Sequence, residues 1–391
     1  MAGTPTIIRS RNACFLAKAQ PTPLTDALPV PATDAVLGEN IAISYNPNII
    51  QTNEYTGSLD SADDIVGGMT AQVTIDVWLK GSGTAGTPPE WGKLHKACMH
   101  SEVITNAAIG APTAVTAGTT TSVTLGAPFS NTAQIYRGMP LQISGTPANL
   151  NTFISDYTGG VATLTDTQSV ALTTSALATI PANVLYLPTS GAQAPLTIYV
   201  YIDGLLWIFT DCVGTVKYDF TSGGAVKMSY TFNGLFKSKT AAALPSSSSL
   251  VYQTTSKPIW IARAGGAFLL GGNLISGKQM TLDWGASANF PDDPNGQEGY
   301  GAPLVTARRV TGQLSVNETL IASRDLMSDF RSGTKRVIHA RAGTVAGNRW
   351  AMTIPSAQFQ NDTPGNSNNI QTAQNPFKAT GIDGGCALCL W

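Results

Sequence analysis

Residues 69–79 read MTAQVTIDVWL, and their alternation decides the fold class. Met69, Ala71, Val73, Ile75, Val77 and Leu79 point one way, while Thr70, Gln72, Thr74 and Asp76 point the other, with Trp78 at the end. A period of two marks a β-strand with one buried and one wet face. The stretch returns at 310–320 as VTGQLSVNETL. Thr70 meets Thr311, Gln72 meets Gln313, Val73 meets Leu314, Thr74 meets Ser315, Ile75 meets Val316, Asp76 meets Asn317 and Leu79 meets Leu320, all at an offset of 241 residues. Both wet faces are neutral-polar, without lysine or arginine between the first threonine and the Asp or Asn. A slip of one residue destroys the match. The chain reads as two copies of one β domain.

Composition agrees. The 391 residues leave room for two or three domains. Only 12% are charged, while glycine (39) and proline (23) are frequent, the profile of short strands and many turns. An apolar share of 43% argues against wholesale disorder. With net charge −1 and no basic tract, binding nucleic acid by phosphate neutralisation is not expected. No apolar run is long enough for a membrane helix, and residues 1–20 lack the apolar core of a signal peptide, so a non-secreted protein is expected. Five widely spaced cysteines, Cys14, Cys98, Cys212, Cys386 and Cys389, do not form a disulfide framework. The lone CxxC in CALCLW reads as small buried residues of a last strand rather than as a metal or redox site.

Residues 1–38, rich in Pro and Thr, read as an arm or linker. Residues 41–50 are a strand that Pro47 bends or places at an edge. The polar stretch 51–66, with Glu54, Tyr55, Asp60, Asp63 and Asp64, makes a long protruding hairpin loop. A Gly/Pro loop follows, then a short helix opened by Pro89 and Glu90, with Leu94, Ala97 and Cys98 inward. From 108 to 188 acidic residues nearly vanish and short Thr/Val/Ala strands suggest a small inserted β domain. Residues 189–245 return to the first domain begun at 39–107, with hairpin turns at Asp203-Gly204 and Ser222-Gly223-Gly224. Residues 246–264 are a linker, and 265–391 the second copy. Its loop, 290–303, matches 51–66 in polarity and carries Asp292, Asp293 and Glu298; its helix is expected at 323–330. Gly347 and Trp350 then fall over Gly204 and Trp207 at an offset of 143. The smaller offset means that copy two lacks roughly a hundred residues, which places the insertion in copy one alone.

No catalytic constellation emerges. His95 and His100 are five apart, a poor spacing for two ligands on one helical face, and His339 stands alone. The glycine-rich run 81–86 lacks the Gly-Lys-Ser/Thr ending of a phosphate loop. The pairs Asp63-Asp64 and Asp292-Asp293 read as solvated turn residues before a calcium site. Arg308-Arg309 reads as an ion-pairing strand start. No enzyme, cofactor or metal is expected.

The run IVGGMTAQVTIDVWLKGSGTAGTPPEWGKLHKAC (65–98) resembles the major tail tube proteins of long-tailed bacteriophages, where a strand is followed by a GSG-x-AG-x-PPE loop and a short helix ending near a cysteine. LTIYVYIDGLLWIFTDCVGTVKYDFTSGGAVKMSYTFNGLF (196–236) is similar to that family's closing strands, and copy two matches more loosely. The resemblance implies an all-β fold with short helices: two tail-tube-type β-sandwich domains whose inner strands form a ring barrel, plus the small inserted β domain on the outside. It implies a lumen lined by Thr70, Gln72, Thr74, Asp76, Thr311, Gln313, Ser315 and Asn317. A neutral or weakly acidic wall lets DNA slide, where a basic one holds it. It also implies stacked homotrimeric rings of pseudo-six-fold symmetry, a homohexamer being the alternative. The arm and the two loops would join the rings. The implied partners are tail tip, tail terminator and tape measure proteins and passing genomic DNA. The implied location is the virion tail, assembled in the host cytoplasm without a membrane. The competing readings are a capsid decoration protein, a secretion-system tube protein, and a secreted carbohydrate-binding β protein. The last wants clustered surface aromatics, whereas the seven tryptophans are scattered.

Overall fold

The computed structural model of the chain describes residues 7–145, 149–191, 193–260, 265–296 and 298–391. Residues 1–6 of the expected arm, 146–148 of the insertion, 261–264 of the linker, Ala192 and Gln297 lie outside it. Strands take up 51% and helices 5%, with three short helices among the described residues, an all-β protein.

The body strands, in chain order, are β1 (Ala13–Ala19), β2 (Glu39–Ile50), β3 (Ile65–Trp78), β4 (His100–Thr105), β5 (Asn183–Pro188), β6 (Leu196–Ile202), β7 (Leu205–Thr221) and β8 (Lys227–Ala241). They continue as β9 (Gly277–Asp283), β10 (Thr311–Asn317), β11 (Lys335–Ala342), β12 (Trp350–Phe359), β13 (Thr363–Ser367), β14 (Ile370–Ala379) and β15 (Ala387–Leu390). The helices are α1 (Pro31–Asp34), α2 (Gly92–Ala97) and α3 (Leu326–Ser332). α3 begins three residues later than expected because Asp325 caps it, accepting from the Ser328 amide at 2.8 Å.

Eight antiparallel strands run side by side in the order β2, β3, β8, β7, β9, β10, β14, β13. The first four belong to the first copy and the last four to the second. Their neighbours match: Thr74 opposes Thr231 and Ser315 opposes Gln374, again 143 residues apart. Alternation along β3 and β10 puts Ala71, Val73, Ile75, Val77, Leu314 and Val316 into the core. There they meet a second layer, whose β1, β6, β11 and β12 contribute Phe15, Ile198, Ile338 and Trp350 to the same cluster. The copies therefore share one core and one continuous sheet.

Three expectations change. The arm is not peripheral: β1 pairs with β6 over its whole length, and Phe15, Leu16 and Ala17 are buried. Flanking prolines and threonines hid an apolar run only a few residues long. The linker is tied down as well. The Gln253 amide donates to Glu90 Oε2 at 2.7 Å, and Thr255 Oγ1 donates to the Ser82 carbonyl at 2.8 Å. The extra segment of copy one is also longer than the expected insertion. A seven-stranded sheet within 109–180 has its own core, and it is borne on the hairpin of β4 and β5, which has no counterpart among the described residues of the second copy. The strand 183–188 thus belongs to the body. β15 explains CALCLW: Leu388 and Leu390 enter the body core, Ala387 and Cys389 the insertion core, so both faces are buried. All five cysteines are buried and free.

Candidate assembly surface

The wet face of the eight-stranded sheet gathers the residues singled out above. Thr70, Gln72, Thr74 and Asp76 on β3 lie half-buried on one side, and Thr311, Gln313, Ser315 and Asn317 on β10 lie on that same side, four strands away. A row of directly opposed residues runs Asp76, Ser229, Lys217, Asp283, Thr311. Thr311 is the repeat partner of Thr70, so crossing from β3 to its copy shifts the register by six residues. Such a stagger belongs to strands that tilt and curve toward closure. The surface is hollowed: a concavity of about 540 Å³ lies over Lys217, Asp219, Ser229, Thr281, Asp283 and Gln313.

The polar side chains satisfy one another sideways. Gln72 Nε2 donates to Asn233 Oδ1 at 3.1 Å, and Gln313 Nε2 to Gln374 Oε1 at 2.9 Å. Two lysines escaped the sequence reading because they sit on the strands between the repeats. Lys227 pairs with Asp76 at 3.2 Å and Lys217 with Asp283 at 2.9 Å. Asp219 accepts from Gln279 at 2.8 Å. Lys378, directly opposite Thr311, is exposed on the same side, so Lys217, Lys227 and Lys378 stand against Asp76, Asp219 and Asp283, and the face keeps the neutral or weakly acidic character expected of it. Partial burial pushes the Asp76 carboxyl up, but hydrogen bonds from Asn40, Ser229 and Lys227 and the lysine charge outweigh it and hold the group below the usual carboxylate range.

Both ends of the sheet are free edges among the described residues. β2 pairs only with β3, and β13 only with β14. Inside the chain the equivalent edges meet: Lys217–Thr221 of β7 pair with Gln279–Asp283 of β9. Transferred through the repeat, Asp219 opposite Thr281 corresponds to Ser367 opposite Ser44. Pro47 and Pro364 bound such a joint.

The two loops behave differently. Around Glu54, Tyr55, Asp60, Asp63 and Asp64 the 51–64 loop is open to solvent, with Tyr55 and Leu59 fully exposed and Ile49, Ile50, Ile65 and Val66 exposed at its base. The 290–303 loop folds back instead. Asp293 Oδ1 accepts from the Asn295 amide at 2.9 Å, Asp292 bridges to Tyr300, and Glu298 Oε2 accepts from the Met69 amide of the first copy at 3.0 Å. The glycine-rich run is likewise a packing joint: the Gly83 amide donates to the Gly347 carbonyl at 2.9 Å, and a Cβ on Gly81 would fall 2.1 Å from that carbonyl oxygen.

The histidines are structural. His95 bonds Tyr218 Oη at 2.8 Å and Tyr230 Oη through its two ring nitrogens. His100 stacks on Trp284 at 3.9 Å. Burial lowers the pKa of all three, His100 and His339 to about 3. Among the described residues no group of three or more His, Cys, Asp or Glu could hold a metal, and no helix is long and apolar enough to cross a membrane. No family model matches the chain, and no curated protein matches it in sequence.

Proposed function

We propose that the chain is a structural virion protein that polymerises as stacked rings into the tail tube of a long-tailed bacteriophage, a conduit for genome DNA. The observation that carries this reading is the staggered eight-stranded sheet, two equivalent sets of four strands with one charge-balanced polar face and a free edge at either end. Six residues of stagger per four strands corresponds to a strand tilt of roughly 45°. Three chains closing edge to edge would give a barrel of about 50 Å backbone diameter and roughly 40 Å clear bore, wider than a DNA duplex. Its wall would carry Thr70, Gln72, Thr74, Asp76, Thr311, Gln313, Ser315 and Asn317. With Lys217 and Lys227 held by aspartates, and Lys378 opposite Thr311 outside any ion pair among the described residues, phosphates gain little counterion release and DNA slides. Closure also removes the two exposed edges.

In this reading the exposed apolar tip around Tyr55 and Leu59 reaches the next ring, while the 290–303 loop braces the first copy. Tail tip, terminator and tape measure proteins would be the partners at the tube's ends and inside it. A cross-link tests the joint. In a Ser44→Cys, Ser367→Cys chain, oxidation of assembled protein should give covalent dimers and closed trimers, since opposed strand positions meet disulfide geometry. Monomers alone from assembled particles would overturn the proposed closure.

A further inference from the structure

We infer that the extra segment 100–188 is a brace: it springs from the first copy, completes the outer sheet of the second, and locks the pair into one rigid unit.

Three independent sets of contacts carry this, all with residues of the second copy. The first is strand addition. β5, held by β4 on one side, pairs on the other with β15, Val184 opposite Leu390, Leu185 opposite Cys389 and Tyr186 opposite Leu388. The second is apolar. The insertion's core continues into Ala351, Ala387, Cys389 and Trp391 of the second copy. Phe153 sits 4.7 Å from the His339 ring and 4.9 Å from Trp391. The third is polar and directional. Arg341 donates two hydrogen bonds to the Asp166 carboxylate, both at 2.8 Å, a planar fork that fixes orientation. Arg137 donates to the Asp383 carbonyl at 2.8 Å, and the Thr167 amide to the Gly272 carbonyl at 2.9 Å. Gly272 leaves no room for anything else, since a Cβ there would lie 2.2 Å from Thr167 Oγ1.

An appended module joined only by its two connections would swing about them. This one cannot without exposing β12 and β15 on their outer faces. Covering the second copy's outer sheet also keeps the segment away from the polar face, which lies on the far side of the body core. The consequence for assembly, that each chain adds to a ring as a prejoined pair of repeats, rests on the tube reading; the brace itself does not.

The test excises the insertion while keeping its stalk. Thr105 and Asn183 are directly opposed, so replacing 107–182 with one glycine leaves Asn106-Gly as a two-residue turn. Hydrogen exchange is followed by mass spectrometry in this variant and in full-length Asp166→Ala, which retains the domain should the excised chain not fold. The brace predicts at least tenfold faster exchange in β12 and β15 on excision, a smaller increase in the same strands for Asp166→Ala, and unchanged exchange in β3 and β8. Unchanged exchange in β12 and β15 in both variants would overturn it. Faster exchange in a protein that never forms rings would uphold the brace and remove the tube reading alone.

Discussion

Trp284 stands where the two copies meet, and its removal measures how far they share a core. The side chain is fully buried. Its indole Nε1 donates to the Cys98 carbonyl of the first copy at 2.6 Å, its face stacks on His100 at 3.9 Å, and its own amide donates to the Val216 carbonyl at 3.0 Å. Truncation of a buried tryptophan to alanine costs about 3–5 kcal/mol in transfer and cavity terms. The stranded Cys98 carbonyl adds roughly 1 kcal/mol. Set against a net stability of about 5–15 kcal/mol, that is a large loss. Urea unfolding followed by far-UV circular dichroism should therefore show a much lower midpoint for Trp284→Ala. Trp284→Phe keeps most of the packing and should cost about 1–2 kcal/mol. A Trp284→Ala protein within roughly 0.5 kcal/mol of the parent would behave like a surface variant and refute a shared core.

Three further outcomes follow from the same geometry. Thr74→Lys with Ser315→Lys puts unpaired cations on the polar face, and assembled particles should then retain duplex DNA in a salt-dependent way that the parent lacks; equal retention in parent and variant would contradict a non-adhesive wall. Shortening the 51–64 loop by removing Tyr55 to Leu59 should leave thermal stability within the range of surface changes but lower the length of any stacked assembly, read by electron microscopy. Acid should unfold the protein early. His100 and His339, neutral and buried with pKa about 3, bind fewer protons folded than unfolded between that value and about 6.5. Their stabilising effect is complete above pH 6.5 and fades as pH falls toward 3, at up to about 1.4 kcal/mol per pH unit for each. A urea midpoint constant from pH 7 to 4 would sink that assignment.

The repeat was legible in the sequence because alternation over Thr70–Asp76 and Thr311–Asn317 had to satisfy the same wet and dry faces; beyond Asn317 the match ends, for Leu79 is buried while Leu320 is exposed. The wet face of each strand was equally readable. What lies beside those strands was not. Lys217 and Lys227 fall in runs whose own alternation says nothing of their neighbours, and only strand pairing brings them to Asp283 and Asp76. The arm misled because one short apolar run, with Phe15 and Leu16 at its centre, is outweighed in any window by surrounding prolines. The two loops looked alike in polarity, yet Glu298 is drawn onto the Met69 amide while the 51–64 loop has no such seat among the described residues. The insertion's size was visible in the change of offset, but which copy it leans on is a tertiary fact set by Arg341, Trp391 and β15.

The central claim is most directly tested by imaging concentrated protein by negative-stain electron microscopy and averaging end-on views. The account predicts hollow rings or stacked tubes with a bore of roughly 40 Å, a six-fold-looking inner wall and three outer lobes made by the braced insertions. Six outer lobes would keep a tube but contradict three chains per ring. Solid particles without a central channel, at every concentration tried and in the cross-linked Ser44→Cys, Ser367→Cys protein, would contradict the tube.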